Sequence, residues 1–200
     1  MMNKKILVSS IIVVIIIFIS TYYYYKNKYT IFKVHDCKST LTHDFELSNY
    51  NSGNSWSIQF WIYIDDLTYN YLKKKYILEW HNCSIYLSET NNNLIIELPV
   101  YLHGTKKIVY ENINIQKWIN VCVVLDNRHV DLWINNKLEI SEYLDNISYQ
   151  KKSKAIITKE NNSFRGKLSK LKFYNFKLPR NHLFKASITD NFHDKYINKT

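Results

Sequence analysis

A chain of 200 residues, 46% of them hydrophobic, can build one folded domain and an appendage; about 170 residues bury roughly 70% of their unfolded surface and need no disulfide staples. Three Gly and two Pro with 16% aromatics exclude a low-complexity or collagen-like chain. The formal charge of +10 rests on 24 Lys and only 3 Arg; scattered lysines lack the planar fork that reads bases and phosphates, so no nucleic-acid partner is expected.

The chain opens with a short basic tail, residues 1–5, and then runs from Ile6 to Thr21 without a charge. Residues 6–25 give 20 helical residues and about 30 Å, the hydrocarbon thickness of a bilayer. Tyr22, Tyr23, Tyr24 and Tyr25 sit where an aromatic belt belongs, and Lys26 and Lys28 follow in the headgroup zone. A cleaved signal peptide has a shorter apolar core and a small-x-small cleavage site; Phe18-Ile19-Ser20 is a poor one. The segment reads as a single transmembrane helix over 6–25, with the lipid bilayer as its partner. Lysines flank both ends, so charge does not fix which side carries the C-terminal domain. The sequons at Asn82, Asn146, Asn161 and Asn198 are no more frequent than Asn and Ser/Thr content gives by chance. Residues 26–44 form a juxtamembrane segment with room for a first strand.

Beyond residue 30 no long helical period occurs; short apolar runs alternate with polar corners, which predicts an all-β sandwich or barrel. Trp56, Ile58, Phe60, Ile62 and Ile64 alternate strictly and mark a core face, with Ser57, Gln59, Trp61 and Tyr63 on the other. Strands are expected over 76–80, 83–87 and 94–98, where Pro99 ends the last or marks an edge. Residues 118–125 are apolar on both faces and predict a central strand. A turn at Asp126-Asn127-Arg128 leads to 129–134, and Asn135-Asn136 closes a tight hairpin into 137–140. In 164–173, Phe164 and Leu168 share one phase while Leu171 and Phe173 share the other; a bulge near Ser169–Lys170 returns both sets to the core. Lysine clusters such as Lys73–Lys75 read as solvated edges that discourage edge pairing. Residues 186–200 read as a polar tail.

Three stretches carry a resemblance. Ser57-Ile-Gln-Phe-Trp-Ile-Tyr-Ile64, Trp118-Ile-Asn-Val-Cys-Val-Val-Leu125 with Val130-Asp-Leu-Trp-Ile-Asn-Asn-Lys-Leu138, and Gly166-Lys-Leu-Ser-Lys-Leu-Lys-Phe-Tyr-Asn175 with Leu178 resemble, in order and spacing, the laminin-G-like, concanavalin A-like lectin/glucanase superfamily. Trp133 stands where that family has Tyr, and Asn136 replaces its turn Gly; Asn tolerates that backbone region. The resemblance implies an antiparallel jelly-roll β-sandwich over 45–185, preceded here by one N-terminal transmembrane helix.

Glucanases of this fold use a strand bearing Glu-x-Asp-x-Glu, with one carboxylate as nucleophile and one as acid/base. No such strand occurs: Glu79, Glu97 and Asp131 each stand alone among apolar neighbours. His35-x-Cys37 and His81-x-Cys83 could each offer two zinc ligands, but such pairs arise by accident among seven His and three Cys. An odd count of Cys37, Cys83 and Cys122 cannot make a complete disulfide framework. The resemblance also makes calcium at the sandwich rim a candidate cofactor, with Asp65, Asp66 and Asp126 as candidate ligands. Gln59, Trp61 and Tyr63 on one strand, with His129, Asp131 and Trp133 on another, are the candidate ligand face, because rings beside hydrogen-bonding groups suit sugars or a protein hot spot. The expected function is a membrane-anchored, non-catalytic module that recognises a glycan or a protein. The alternative is a structural membrane or virion component of a large DNA virus, in keeping with an AT-biased composition; an atypical glycoside hydrolase is more remote.

Overall fold

A computed structural model of the chain describes residues 4–27, 30–43, 55–80, 82–148 and 154–183. It comprises two compact units, Met1–Thr30 and Ile31–Thr200. The expected start of the sandwich at residue 45, His81 and the tail 186–200 lie outside the described residues.

The first unit contains one helix, α1 (Lys4–Asn27), of 24 residues, about 36 Å long at 1.5 Å per residue. The apolar side chains at 11–19 are each at least half exposed. Thr21 folds its hydroxyl back onto the helix, donating to the Ile17 and Phe18 carbonyls, each at 2.9 Å. Side chains are described for residues 10–22 and 24 of α1, a stretch of about 20 Å, and among the described residues no helix is long and apolar enough to cross a membrane.

The second unit is all-β. Its strands are β1 (Thr30–Asp36), β2 (Leu41–His43), β3 (Ser55–Asp66), β4 (Lys75–Trp80), β5 (Cys83–Leu87), β6 (Leu94–Val100), β7 (Gly104–Tyr110), β8 (Trp118–Asp126), β9 (His129–Ile134), β10 (Lys137–Tyr143), β11 (Ala155–Ile157) and β12 (Arg165–Tyr174). They form two six-stranded sheets, ordered β1-β12-β3-β8-β9-β10 and β2-β11-β4-β5-β6-β7. The antiparallel sandwich expected from the sequence is the observed fold. Its core is the set of alternating residues: Trp56, Ile58, Phe60 and Ile62 from β3 and Val121, Val123 and Leu125 from β8, with Ile85, Leu87, Ile96 and Leu98 from the other sheet. Trp56 of the first sheet meets Trp80 of the second edge-to-face at 5.0 Å.

The local expectations from turn chemistry hold. Asn127, Asn135 and Asn136 all take positive φ, and β8 lies between β3 and β9. The register of β12 against β3 shifts between Ser169 and Lys172, Lys170 has φ 49°, and Leu168, Leu171 and Phe173 are all buried, which is what the phase change required. Gly166 is needed there, since an added Cβ would sit 2.1 Å from the Tyr63 carbonyl oxygen.

Of the two forms of the Pro99 expectation the edge holds, and one other expectation changes. Strand β6 does not stop at Pro99 but runs to Val100, and Pro99 pairs with Thr105 of β7. Pairing with β5 ends at Glu97, so Pro99 lies at a local edge of β6, between that pairing and the Val100–Ser148 bridge, where a missing N–H is tolerated. Lys75 is not a solvated edge residue; it is buried, and its ammonium donates to the carbonyls of Glu89 at 2.9 Å, Ser88 at 3.2 Å and Lys73 at 3.5 Å. Burial lowers its pKa, and the three carbonyls satisfy its three donors.

Candidate functional site

The β3–β8–β9 ladder brings the expected ligand residues onto one face. Gln59, Cys122 and Trp133 form one row, and Ser57, Val124 and Asp131 the next; Ser55, Asp126 and His129 form a third. Trp61 and Tyr63 continue the face along β3. That face, however, is crossed by the chain after β12. Ser57 Oγ donates to the Phe176 carbonyl at 3.0 Å and accepts from Leu178 N at 2.8 Å. Lys177 Nζ pairs with Asp126 at 2.8 Å, and the Arg180 guanidinium stands 5.7 Å from the Trp133 ring centre. Leu178 and Leu183 are buried, Gln59 is covered, and Trp61 and Trp133 are only 8% and 7% exposed. Tyr63, His129 and Asp131 stay half-buried at the margin. There Ser141 Oγ donates to Asp131 at 2.7 Å and lies 2.9 Å from His129 Nε2.

The calcium candidates do not converge. Asp65 and Asp66 end β3, whereas Asp126 ends β8 opposite Ser55 at the start of β3; about ten residues of strand, roughly 34 Å, lie between. Each has a partner: Arg165 stands 3.2 Å from Asp65, Thr68 donates twice to Asp66 at 2.7 Å, and Ser55 and Lys177 bind Asp126. The Thr68 bonds lower the Asp66 pKa. Among the described residues no cluster of three or more His, Cys, Asp or Glu could hold a metal. Cys37, Cys83 and Cys122 are free and buried, and burial pushes all three thiol pKa values up. His35 Nε2 lies within hydrogen-bond distance of Ser39 O at 3.1 Å and Thr158 Oγ1 at 3.0 Å.

The second sheet carries a polar face that the sequence did not announce. Register sets Glu79, Ser84, Glu97 and Lys107 in one row and Tyr76, Tyr86, Ile95 and Val109 in the next. Tyr86 donates a short bond to Glu97, and Ser84 reaches the same carboxylate at 3.4 Å. Lys74 pairs with Glu97 at 3.3 Å and lies 4.5 Å above the Tyr86 ring. Lys159 pairs with Glu79 at 2.6 Å and lies 4.4 Å above the Tyr76 ring. The two rings meet at 5.6 Å. Burial raises the Tyr86 pKa and the bond to Glu97 reinforces it. For Glu97, burial pushes upward, but the Tyr86 bond and Lys74 outweigh it and the carboxyl titrates below its ordinary range. Three cations, Lys74, Lys107 and Lys159, thus stand with two carboxylates on this face, and the side chains of Lys74 and Lys159 remain about one-third exposed. The pairing between strands that assembles these residues has no signature within any one strand.

The sequence profile described as the concanavalin A-like lectin/glucanases superfamily matches residues 39–183. The chain belongs to this superfamily. No curated protein sequence matches the chain. Among solved structures, the receptor binding domain of botulinum neurotoxin D is similar at 14% identity and a TM-score of 0.64, covering 79% of this chain and 44% of that one. The serotype D ligand binding domain in complex with N-acetylneuraminic acid is similar at 15% identity and a TM-score of 0.63, covering 80% and 43%. The serotype G binding domain is similar at 13% identity and a TM-score of 0.59, covering 80% and 46%. This chain therefore spans less than half the length of those domains, and at such identity the likeness is one of fold.

Proposed function

We propose that the chain is a bilayer-anchored, non-catalytic recognition module whose ligand is an acidic glycan, bound on the outer face of β4, β5 and β6. The anchor is α1. Residues 6–21 carry no charge, the helix is 24 residues long, and Thr21 satisfies its own hydroxyl within it, as hydrocarbon demands. The absence of a paired-carboxylate strand from the sequence supports binding without turnover. The observation that carries the ligand class is the pair of ammoniums on Lys74 and Lys159, each seated over a tyrosine ring and held by a glutamate. Their ring faces are taken, so the groups presented outward are cations in fixed places, suited to a sugar carboxylate. The likeness to receptor-binding domains, one of them bound to N-acetylneuraminic acid, supports the same reading.

Full-length protein in detergent, applied to a glycan array, tests this. Binding to acidic glycans lost in Lys74→Ala and Lys159→Ala but kept in Trp133→Phe supports the proposed face. Binding lost in Trp133→Phe alone moves the site to the face of Gln59, Trp61, Tyr63, His129, Asp131 and Trp133. No glycan binding, with stoichiometric recovery in purified virus particles, would make the module architectural.

A further inference from the structure

One end of the sandwich exposes apolar side chains at the place where the chain enters it. The turn between β6 and β7 presents Tyr101 and Leu102, the latter 82% exposed and held at φ 62°, a region that Leu seldom adopts. Tyr101 N bonds the Ile147 carbonyl at 3.0 Å, and Val100 bridges Ser148. This places half-exposed Ile147 beside the tip. Tyr143, at the end of β10, is also exposed. The end is fixed by register: Tyr143 pairs with His129, and Tyr174, the last residue of β12, pairs with Ser57 near the start of β3. Strand β1 runs antiparallel to β12, since Cys37 N bonds Gly166 O and Ser169 Oγ bonds Lys33 O. Ile31 therefore starts the second unit at the same end as Tyr101 and Leu102.

We infer that this end of the sandwich rests on the surface of a lipid bilayer, with Tyr101, Leu102 and Ile147 in the interfacial zone. The inference rests on reading α1 as a bilayer span. Residues 28 and 29 alone separate Asn27 of α1 from Thr30 of β1, a reach of no more than about 11 Å. So short a tether holds the neighbouring surface at high effective concentration, and weak insertion suffices. Charge is the smaller part of it: Lys106 is paired with Glu142 and Lys177 with Asp126, while the Arg128 guanidinium stands 5.0 Å from the Tyr143 ring, so most of the contact should survive high salt. Tyr71 and Leu72 are also exposed, but they belong to the loop between β3 and β4 at the opposite end, roughly 20 Å away along seven-residue β6, and serve as the control.

The native thiols are buried, so a polarity-sensitive dye can be placed selectively at Leu102→Cys or Leu72→Cys in the full chain. Both proteins are reconstituted into phosphatidylcholine vesicles carrying an acyl-chain nitroxide. The expected result is co-flotation of both, with the dye at 102 quenched about twofold or more beyond the dye at 72. In the exposed-site variant Leu102→Asp, a dye at Ile147→Cys should lose most of its quenching. Co-flotation with equal quenching at 102 and 72 overturns the inference and leaves the anchor standing. Failure to co-float overturns both.

Discussion

The Tyr86 hydroxyl is committed to Glu97, and that bond acts with Lys74 in setting how Glu97 titrates. Burial alone would raise the carboxyl pKa; the bond and Lys74 bring it below its ordinary value. A carboxylate with a lowered folded pKa stabilises the fold above its unfolded pKa, about 4.3, and that stability is lost as pH falls through the folded value. Tyr86→Phe removes the donor and leaves burial less opposed. The expected outcome is a loss of about 1–2 kcal/mol in urea unfolding at neutral pH, with the acid limb of the stability curve moved to higher pH. An unchanged acid limb would mean that Lys74 alone sets the titration. The same residue shows where sequence reading stops. Tyr86 lies in an apolar run, Cys-Ser-Ile-Tyr-Leu, and nothing local tells that its hydroxyl meets a glutamate eleven positions on. Lys75 teaches the same lesson: beside two other lysines it reads as solvated, yet three carbonyls hold it inside.

At the scale of elements, the inner faces were legible and the outer faces were not. Alternation in β3 and the double phase in β12 specify which residues point inward, because a one-residue slip would expose the whole set. Edge strand β7, with Lys106 and Lys107, and the three-residue strands β2 and β11 gave no such pattern. The outer face of β3, β8 and β9 did come together as Gln59, Trp61 and Trp133 imply, but residues 175–183 lie over it, a fact set by tertiary packing of Leu178 and Leu183. The charged fastener of this strap is Lys177 on Asp126. The lysine bond lowers the Asp126 pKa, and the aspartate bond raises that of Lys177. The pair therefore holds between the two ordinary values and is lost as pH falls through the folded Asp126 pKa, below about 4, or rises through that of Lys177, above about 10.4. Acrylamide quenching of tryptophan should increase as pH falls through that acid limit while far-ultraviolet dichroism is unchanged. Asp126→Asn should show the increased quenching already at neutral pH, with little further change on acidification. If the variant and the native chain quench alike across the range, the strap is held by its leucines and not by the ion pair.

At the scale of the whole molecule, two kinds of apolar surface obey opposite rules. The sandwich hides Trp56, Phe60 and Trp80 between its sheets, whereas α1 leaves residues 11–19 uncovered. Nine consecutive apolar side chains exposed on a helix have no counterpart in a water-facing domain and need an apolar surround. Lipid provides one, and the anchor reading makes a quantitative demand on a single position. A lysine at the centre of a spanning helix costs about 2.5–3.5 kcal/mol on the insertion scale, whereas an exposed lysine on a helix in water costs almost nothing. Ile15→Lys should therefore move a large share of the chain from the membrane pellet to the soluble fraction after alkaline extraction. Leu102→Lys, which adds the same charge outside the helix, should leave the full chain in the pellet. Because no described side chain of α1 belongs to the sandwich core, protease resistance of the β domain should be the same in both variants. Equal pelleting of Ile15→Lys and the native chain would show that the helix does not cross hydrocarbon, and α1 would then have to bury its apolar side chains against protein.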